Sequence, residues 1–248
     1  MQLVFPKNTL IFILALSLCF CFSCGSQNSS EEKEKSASTS EKVQAKTSEI
    51  TTPLSTKIEG SIVMGADQFS AYEALISEKK IAIVANPTSI VSKPIDSEIA
   101  NVHLVDFLHQ RSFNIQKVFS PEHGFRGTAD AGESVKDGMD QKTGIPILSL
   151  HGKNKKPTPE QMDGLEMVIF DIQDVGVRFY TYISTMHHVM EACAEAGIPL
   201  IILDRPNPNG HYIDGPMMEE EHTSFLGMHP VPLVHGMTIG EYLSLIHI

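Results

Sequence analysis

The stretch KVFSPEHGFRG, residues 117–127, places a carboxylate, an imidazole and a guanidinium close together at Glu122, His123 and Arg126. An apolar run leads into it and stops at Pro121, which cannot donate to a sheet ladder. Gly124 and Gly127 let the loop that follows approach a ligand closely. Three other stretches repeat the pattern of an apolar run followed by polar groups. ANPTS supplies Asn86. FDIQDVGVRFYTYISTM supplies Asp171, Gln173, Asp174, Arg178, Tyr180 and Tyr182. LDRPNPNG supplies Asp204, Arg205, Asn207 and Asn209. Carboxylates beside amides, tyrosines and arginines suit carbohydrate chemistry. A glycosidase needs one acid to protonate the leaving oxygen, and either a second carboxylate or the acetamido group of the substrate itself. An arginine suits a sugar that carries its own carboxylate. The plainer alternatives are an ion pair between Glu122 and Arg126 or Arg178, and packing of Tyr180 and Tyr182 at the start of a helix.

Other chemistries find no support in the sequence. No glycine-rich phosphate loop follows an apolar run, so no nucleotide cofactor is expected. There is no GxSxG elbow for a serine hydrolase. Of the 11 histidines none shows HExxH or another tight ligand spacing, so no metal is expected. His187 and His188 are adjacent on a predicted helix and face different directions. With 19 basic against 30 acidic residues, a formal charge of −11 and no basic patch, nucleic acid is not an expected partner.

The elements that must position these groups can be read from the spacing of apolar residues. Short runs rich in β-branched residues predict buried strands at 80–85, 115–120, 166–171 and 198–203, with a shorter one at 144–150. Helical patterns lie between them, at 67–80, 96–111 and 182–197, with Gly197 placed as a helix stop. Thr158, Pro159 and Gln161 stand in the order of a capped short helix. Alternating strands and helices predict an α/β domain with a largely parallel sheet covered by helices on both faces. Ligands bind such sheets beyond the carboxyl ends of the strands. All four polar clusters fall there.

The first 23 residues read as an export signal, with Lys7 followed by a long apolar run. Cys24 stands between Ser23 and Gly25 at the end of that run. The pattern resembles a bacterial lipoprotein signal, with Cys24 lipidated and the protein held on a membrane of the cell envelope, periplasmic or outer-membrane associated. Residues 24–58 are rich in Ser, Thr, Glu and Lys and predict a disordered tether. Cys193 falls in an apolar helical pattern and reads as a small core residue. Residues 59–242 are then expected to form one domain, and the roughly 190 residues after the tether are enough for a substantial core. The final LSLIHI matches what a sequencing adaptor encodes, so residues 243–248 are expected to be artefactual and the natural chain to continue.

Four of these stretches, SPEHGFRG, FDIQDVGVRFYTYISTM, LDRPNPNG and HGMTIGEY, together resemble the exo-β-N-acetylmuramidase family, in order and spacing over roughly residues 60–242. The resemblance implies a Rossmann-like catalytic domain followed by a smaller C-terminal domain, expected to be missing here. It implies release of terminal N-acetylmuramic acid from peptidoglycan-derived muropeptides or a muramoyl–glucosaminide disaccharide, with no cofactor. Carried onto this chain, Glu122 becomes the general acid and His123 a group that orients the substrate or acts on Glu122. Asp171 and Asp174 become candidates for the second carboxylate or for holding the acetamido group. Arg126 and Arg178 would meet the lactyl carboxylate. Asn86, Tyr180, Tyr182, Asp204, Arg205 and Asn207 would bind the sugar. The rival reading is a cell-surface sugar-binding lipoprotein without catalysis.

Overall fold

The computed structural model describes residues 62–92, 100–127 and 137–247. The expected signal, the tether and Cys24 lie outside these residues. Six strands form the central sheet: β1 (Ile81–Ala85), β4 (Ile115–Ser120), β5 (Gly138–Met139), β6 (Pro146–Ser149), β7 (Met167–Asp171) and β8 (Leu200–Ile202). Their order is β5-β6-β4-β1-β7-β8. Every pairing is parallel except that of the short edge strand β5 with β6. The chain builds outward from β1 through β4 to β6, then returns to place β7 on the other side of β1. This is the Rossmann order, with its topological switch between β1 and β7. Asn86 follows one of those strands and Asp171 ends the other.

Alternation along the strands feeds two cores. Ile81, Ile83, Val118, Met167 and Ile169 point to one face, where α1 (Phe69–Ile76) and α2 (Leu104–Gln110) cover them. Ala82, Val84, Phe119, Val168 and Phe170 point to the other. There they meet α3 (Pro159–Met162), α4 (Tyr182–Ala196) and α5 (Ile239–His247). Cys193 is buried in this second core. Both α3 and α4 obey their sequence signals. Thr158 and Gln161 form a reciprocal capping box, and Gly197 closes α4 in a left-handed conformation at φ 66°.

One element departs from expectation. Of the described part of the helix predicted over 96–111, only α2 is helical, and Val102–His103 forms β3, paired antiparallel with β2 (Ile90–Val91). His103 has extended backbone and caps α2, its side chain accepting from the Val105 N–H. A residue that caps a helix cannot also continue one upstream. Two further strands, β9 (Asp214–Met217) and β10 (Pro232–Val234), pair antiparallel beside the sheet. Val177 bridges to Val234, which ties this hairpin to the loop after β7.

Candidate functional site

Most polar groups at the strand ends are bound to one another. Asp171 is fully buried and meets Arg205 through two oxygens, at 2.6 Å from Nε and 3.0 Å from Nη2. Burial pushes the Asp171 carboxyl up to about 6, against the pull of Arg205. A permanently charged guanidinium in bidentate contact keeps the pair ionised at neutral pH. Arg205 Nη2 also donates to the Ile90 carbonyl. Asp204 caps α5, accepting from Thr238 Oγ1 and the Gly240 N–H. Asn207 donates to the Met237 carbonyl and accepts from the Asn209 N–H. Gln173 donates to the carbonyls of Asp174 and Pro206. Asp204, Arg205 and Asn207, expected to bind the sugar, and Asp171, expected as the second carboxylate or the acetamido holder, are thus all engaged by protein partners. These side chains stitch the loops after β7 and β8 to the start of α5.

Arg126 is likewise engaged. Its guanidinium lies 2.8 Å from Asp106 and 2.7 Å from Asp140, and Lys142 adds a third cationic contact at 2.6 Å from Asp106. Asp140 is held down at about 2, mainly by its hydrogen bond with Arg126. With Nε, Nη1 and Nη2 all donating, Arg126 has little left for a substrate carboxylate. Arg178 differs. Its Nη1 donates to the carbonyls of Pro216 and Val231, and its Nε and Nη2 take no partner among the described residues. Neither arginine pairs with Glu122.

What remains at the edge is a smaller group. Glu122 follows β4, half-buried, and accepts from Thr181 Oγ1 at 3.4 Å. His123 beside it adopts φ 70°, a left-handed conformation that is strained for a non-glycine residue and is held by its surroundings. The turn continues through Gly124 at φ 80° to Phe125, whose buried ring packs edge-on against His103 at 4.9 Å. His103 Nε2 in turn meets the Asn86 carbonyl at 2.9 Å. Burial drives the His103 imidazole down to about 4, so it stays neutral and donates to that carbonyl. Asn86 itself is buried, its Oδ1 accepting from the Thr88 N–H at 2.9 Å and from Thr88 Oγ1 at 2.5 Å. Tyr182 packs edge-on with Tyr180 at 4.9 Å. Burial first, then the neighbouring Tyr180, raise the Tyr182 phenol to about 12, with Asn86 opposing and Glu122 adding to the rise. Tyr182 is therefore a hydrogen-bond donor beside Glu122 and Asn86.

Thr181 escaped the sequence reading. It is the N-cap of α4, a place where threonine ordinarily bonds the first turn, yet it makes no side-chain cap bond. Its hydroxyl goes to Glu122 instead. The available signal was a threonine between two tyrosines at a helix start. Asp174 is buried and accepts from the Gly176 N–H, while its Oδ1 has no partner. Burial pushes its carboxyl up to about 6. His235 Nε2, also buried and without a partner, lies 3.8 Å from Asp174 Oδ2. Among the described residues the one trio that could share an ion is Glu219, Glu221 and His222, all exposed on the turn after β9.

Doubly wound α/β domains take their ligands at this carboxyl edge, where the chain places a carboxylate outside any ion pair, an amide and two tyrosines. Comparison with known proteins narrows this. Residues 81–247 match the family described as Exo-beta-N-acetylmuramidase NamZ, N-terminal, and the chain belongs to that family. It is 48% identical over 176 residues to the Peptidoglycan beta-N-acetylmuramidase NamZ of Bacillus subtilis (strain 168), a match covering 70% of this chain and 41% of that protein. Two solved structures of DUF1343 family proteins from Bacteroides fragilis NCTC 9343 share its fold. One is 45% identical with a TM-score of 0.63, covering 75% of this chain and 46% of that one. The other is 36% identical with a TM-score of 0.62, covering 74% and 44%. The chain thus spans less than half the length of these relatives.

Proposed function

We propose that this domain serves the hydrolysis of a terminal β-N-acetylmuramoyl bond in peptidoglycan fragments, with Glu122 as the proton donor. One observation carries the assignment. The buried strand-end and neighbouring carboxylates Asp171, Asp106 and Asp140 are tied into ion pairs, and Asp204 into a helix cap, whereas Glu122 is half-exposed at the ligand edge with a hydroxyl as its partner. Glu122 passes its proton to the glycosidic oxygen as the bond to the anomeric carbon breaks, and water completes the hydrolysis. Tyr182 and Asn86 flank it as groups for the sugar. Arg178, with donors to spare, is the arginine for the lactyl carboxylate, and Asp174 is the remaining second carboxylate. The family membership and the activity for which the Bacillus relative is named support this reading.

The test uses two substrates, a muramoyl–glucosaminide disaccharide and 4-nitrophenyl β-N-acetylmuramide. Glu122→Gln should lower disaccharide turnover by ~10²–10⁴-fold. The nitrophenyl substrate should suffer far less, because nitrophenolate leaves without a proton. Equal losses on both substrates would make Glu122 a nucleophile or an electrostatic stabiliser. Binding of the disaccharide by the unmutated protein with no turnover of either substrate would favour a sugar-binding protein.

A further inference from the structure

Away from the strand ends, three side chains from separate elements are joined. His187 lies on α4, His229 in the segment leading to β10, and Tyr242 on α5. His187 Nδ1 is 3.0 Å from His229 Nε2, and His229 Nδ1 is 2.9 Å from the Tyr242 hydroxyl. At the outer end His187 Nε2 is 3.2 Å from Glu191 Oε1. Tyr242 at the inner end is fully buried.

The proton count fixes the direction of every bond in this chain. Burial opposes ionisation of Glu191, but His188, His187 and Lys156 outweigh it and hold the carboxyl below the usual range. An ionised carboxylate 3.2 Å away only accepts, which favours His187 carrying its proton on Nε2. Neutral His187 then accepts at Nδ1, so His229 carries its proton on Nε2. Neutral His229 in turn accepts at Nδ1, so the Tyr242 hydroxyl donates. One surface carboxylate thereby sets two tautomers and one hydroxyl. Adding a proton to either ring breaks this order. Whichever histidine takes it, His229 Nδ1 becomes a donor, and the Tyr242 hydroxyl must turn away and accept.

We propose that the His187–His229–Tyr242 chain is a proton-responsive latch, which clamps the segment 223–231 onto α4 and α5 when neutral and loosens it on uptake of one proton. Every charged or titratable group facing the chain bears on it. On α4 these are Glu191 and His188, with His188 Nδ1 3.2 Å from Glu191 Oε2. Lys156, ahead of α3, lies 3.5 Å from Glu191. Behind Tyr242 stand His235, ring centres 5.0 Å apart, and the charges of Asp174 and Arg178. Arg178 opposes a cation here, while Glu191 favours one. Burial, followed by the neighbouring His187, pulls His229 below the ordinary histidine value, so the latch is closed at neutral pH and opens on acidification. The clamped segment carries Val231, whose carbonyl accepts from Arg178. Only that bearing on the site rests on the muramidase reading; the latch itself rests on its own geometry.

The experiment labels histidine with nitrogen-15 and reads long-range proton–nitrogen correlations of the protein at neutral pH. His187 and His229 should both show Nε2 protonated and Nδ1 free. Either ring with its proton on Nδ1 overturns the proposal. Amide hydrogen exchange over residues 223–231, corrected for intrinsic rates, should then accelerate by at least ~10-fold as the pair becomes protonated, the size expected when a buried donor, here the Tyr242 hydroxyl, is turned away from its acceptor. Exchange that stays level while the rings titrate also overturns it. In His229→Gln the acceleration should vanish, and His229→Asn serves if that variant does not fold. Neither readout requires activity, so failure of the latch and failure of the catalytic assignment are separate results.

Discussion

Individual carboxylates in this domain answer to their surroundings more than to their position. Asp171 and Asp174 stand three residues apart on one strand end, yet one is neutralised by Arg205 and the other keeps an oxygen without a partner. Burial lifts Asp174 to about 6 in the folded state. Its unfolded value is about 3.9, so between these limits the native protein holds a proton that the unfolded chain has released. The contribution of Asp174 is therefore complete below about pH 4 and is lost as pH rises through 6. Asp174→Asn should accordingly gain stability relative to the unmutated protein, by roughly 2–3 kcal/mol, between pH 4 and pH 7. Urea unfolding at the two pH values measures the difference, and no change between them would show that Asp174 ionises as an ordinary carboxylate. The sequence made the polar strand ends legible as places but not as roles. An aspartate at a strand end looks the same whether it faces a sugar or a guanidinium 34 residues further along, and only packing decides.

At the scale of elements, the start of α4 does two things at once. Thr181 gives up its cap to hold Glu122, so losing its hydroxyl should disturb catalysis more than stability. Thr181→Val should lower disaccharide turnover by ~10-fold with KM little changed, and Thr181→Ser should restore most of it. A loss that shows only as a lower melting temperature would assign Thr181 to the scaffold. Two glycines contrast in the same way. Gly197 closes α4 at φ 66° with open space around it, so Gly197→Ala should cost about 1–2 kcal/mol of backbone strain. Gly176 has φ 74°, and a Cβ there would sit 2.6 Å from Asn207 Cγ. Gly176→Ala should cost roughly 2–4 kcal/mol, because it adds a clash to the strain. Chemical denaturation ranks the two, and equal costs would mean that Asn207 is free to move aside. The strands, α3 and α4 were legible because their apolar spacing and caps are local. The start of α2 was not, because His103 caps that helix and pairs with Ile90 across a gap in sequence.

The whole molecule is organised around the switch between β1 and β7, and its sheet is the feature that the sequence pattern conveyed most directly. Strand order was not legible, since apolar runs state that strands are buried but not which are neighbours. Among the described residues no helix is long and apolar enough to cross a membrane. From the signal-like first 23 residues we propose a lipid anchor on Cys24, which lies outside those residues. Cys24→Ser should move the protein from the detergent phase to the aqueous phase and abolish labelling by a fatty-acid probe; unchanged partitioning would remove the anchor. The stitching of the site has a further consequence, for the order in which the protein matures. Asp204 finds its partners at Thr238 and Gly240, Asn207 finds its partner at Met237, and the Gly176 carbonyl receives the His235 N–H. Each bond joins a loop made earlier to a segment made later. On the ribosome the parallel sheet can assemble while these loops are still unanchored, and they acquire their native bonds only when residues 235–240 have emerged. The loops after β7 and β8 are therefore expected to mature together with α5, after the parallel strands are in place.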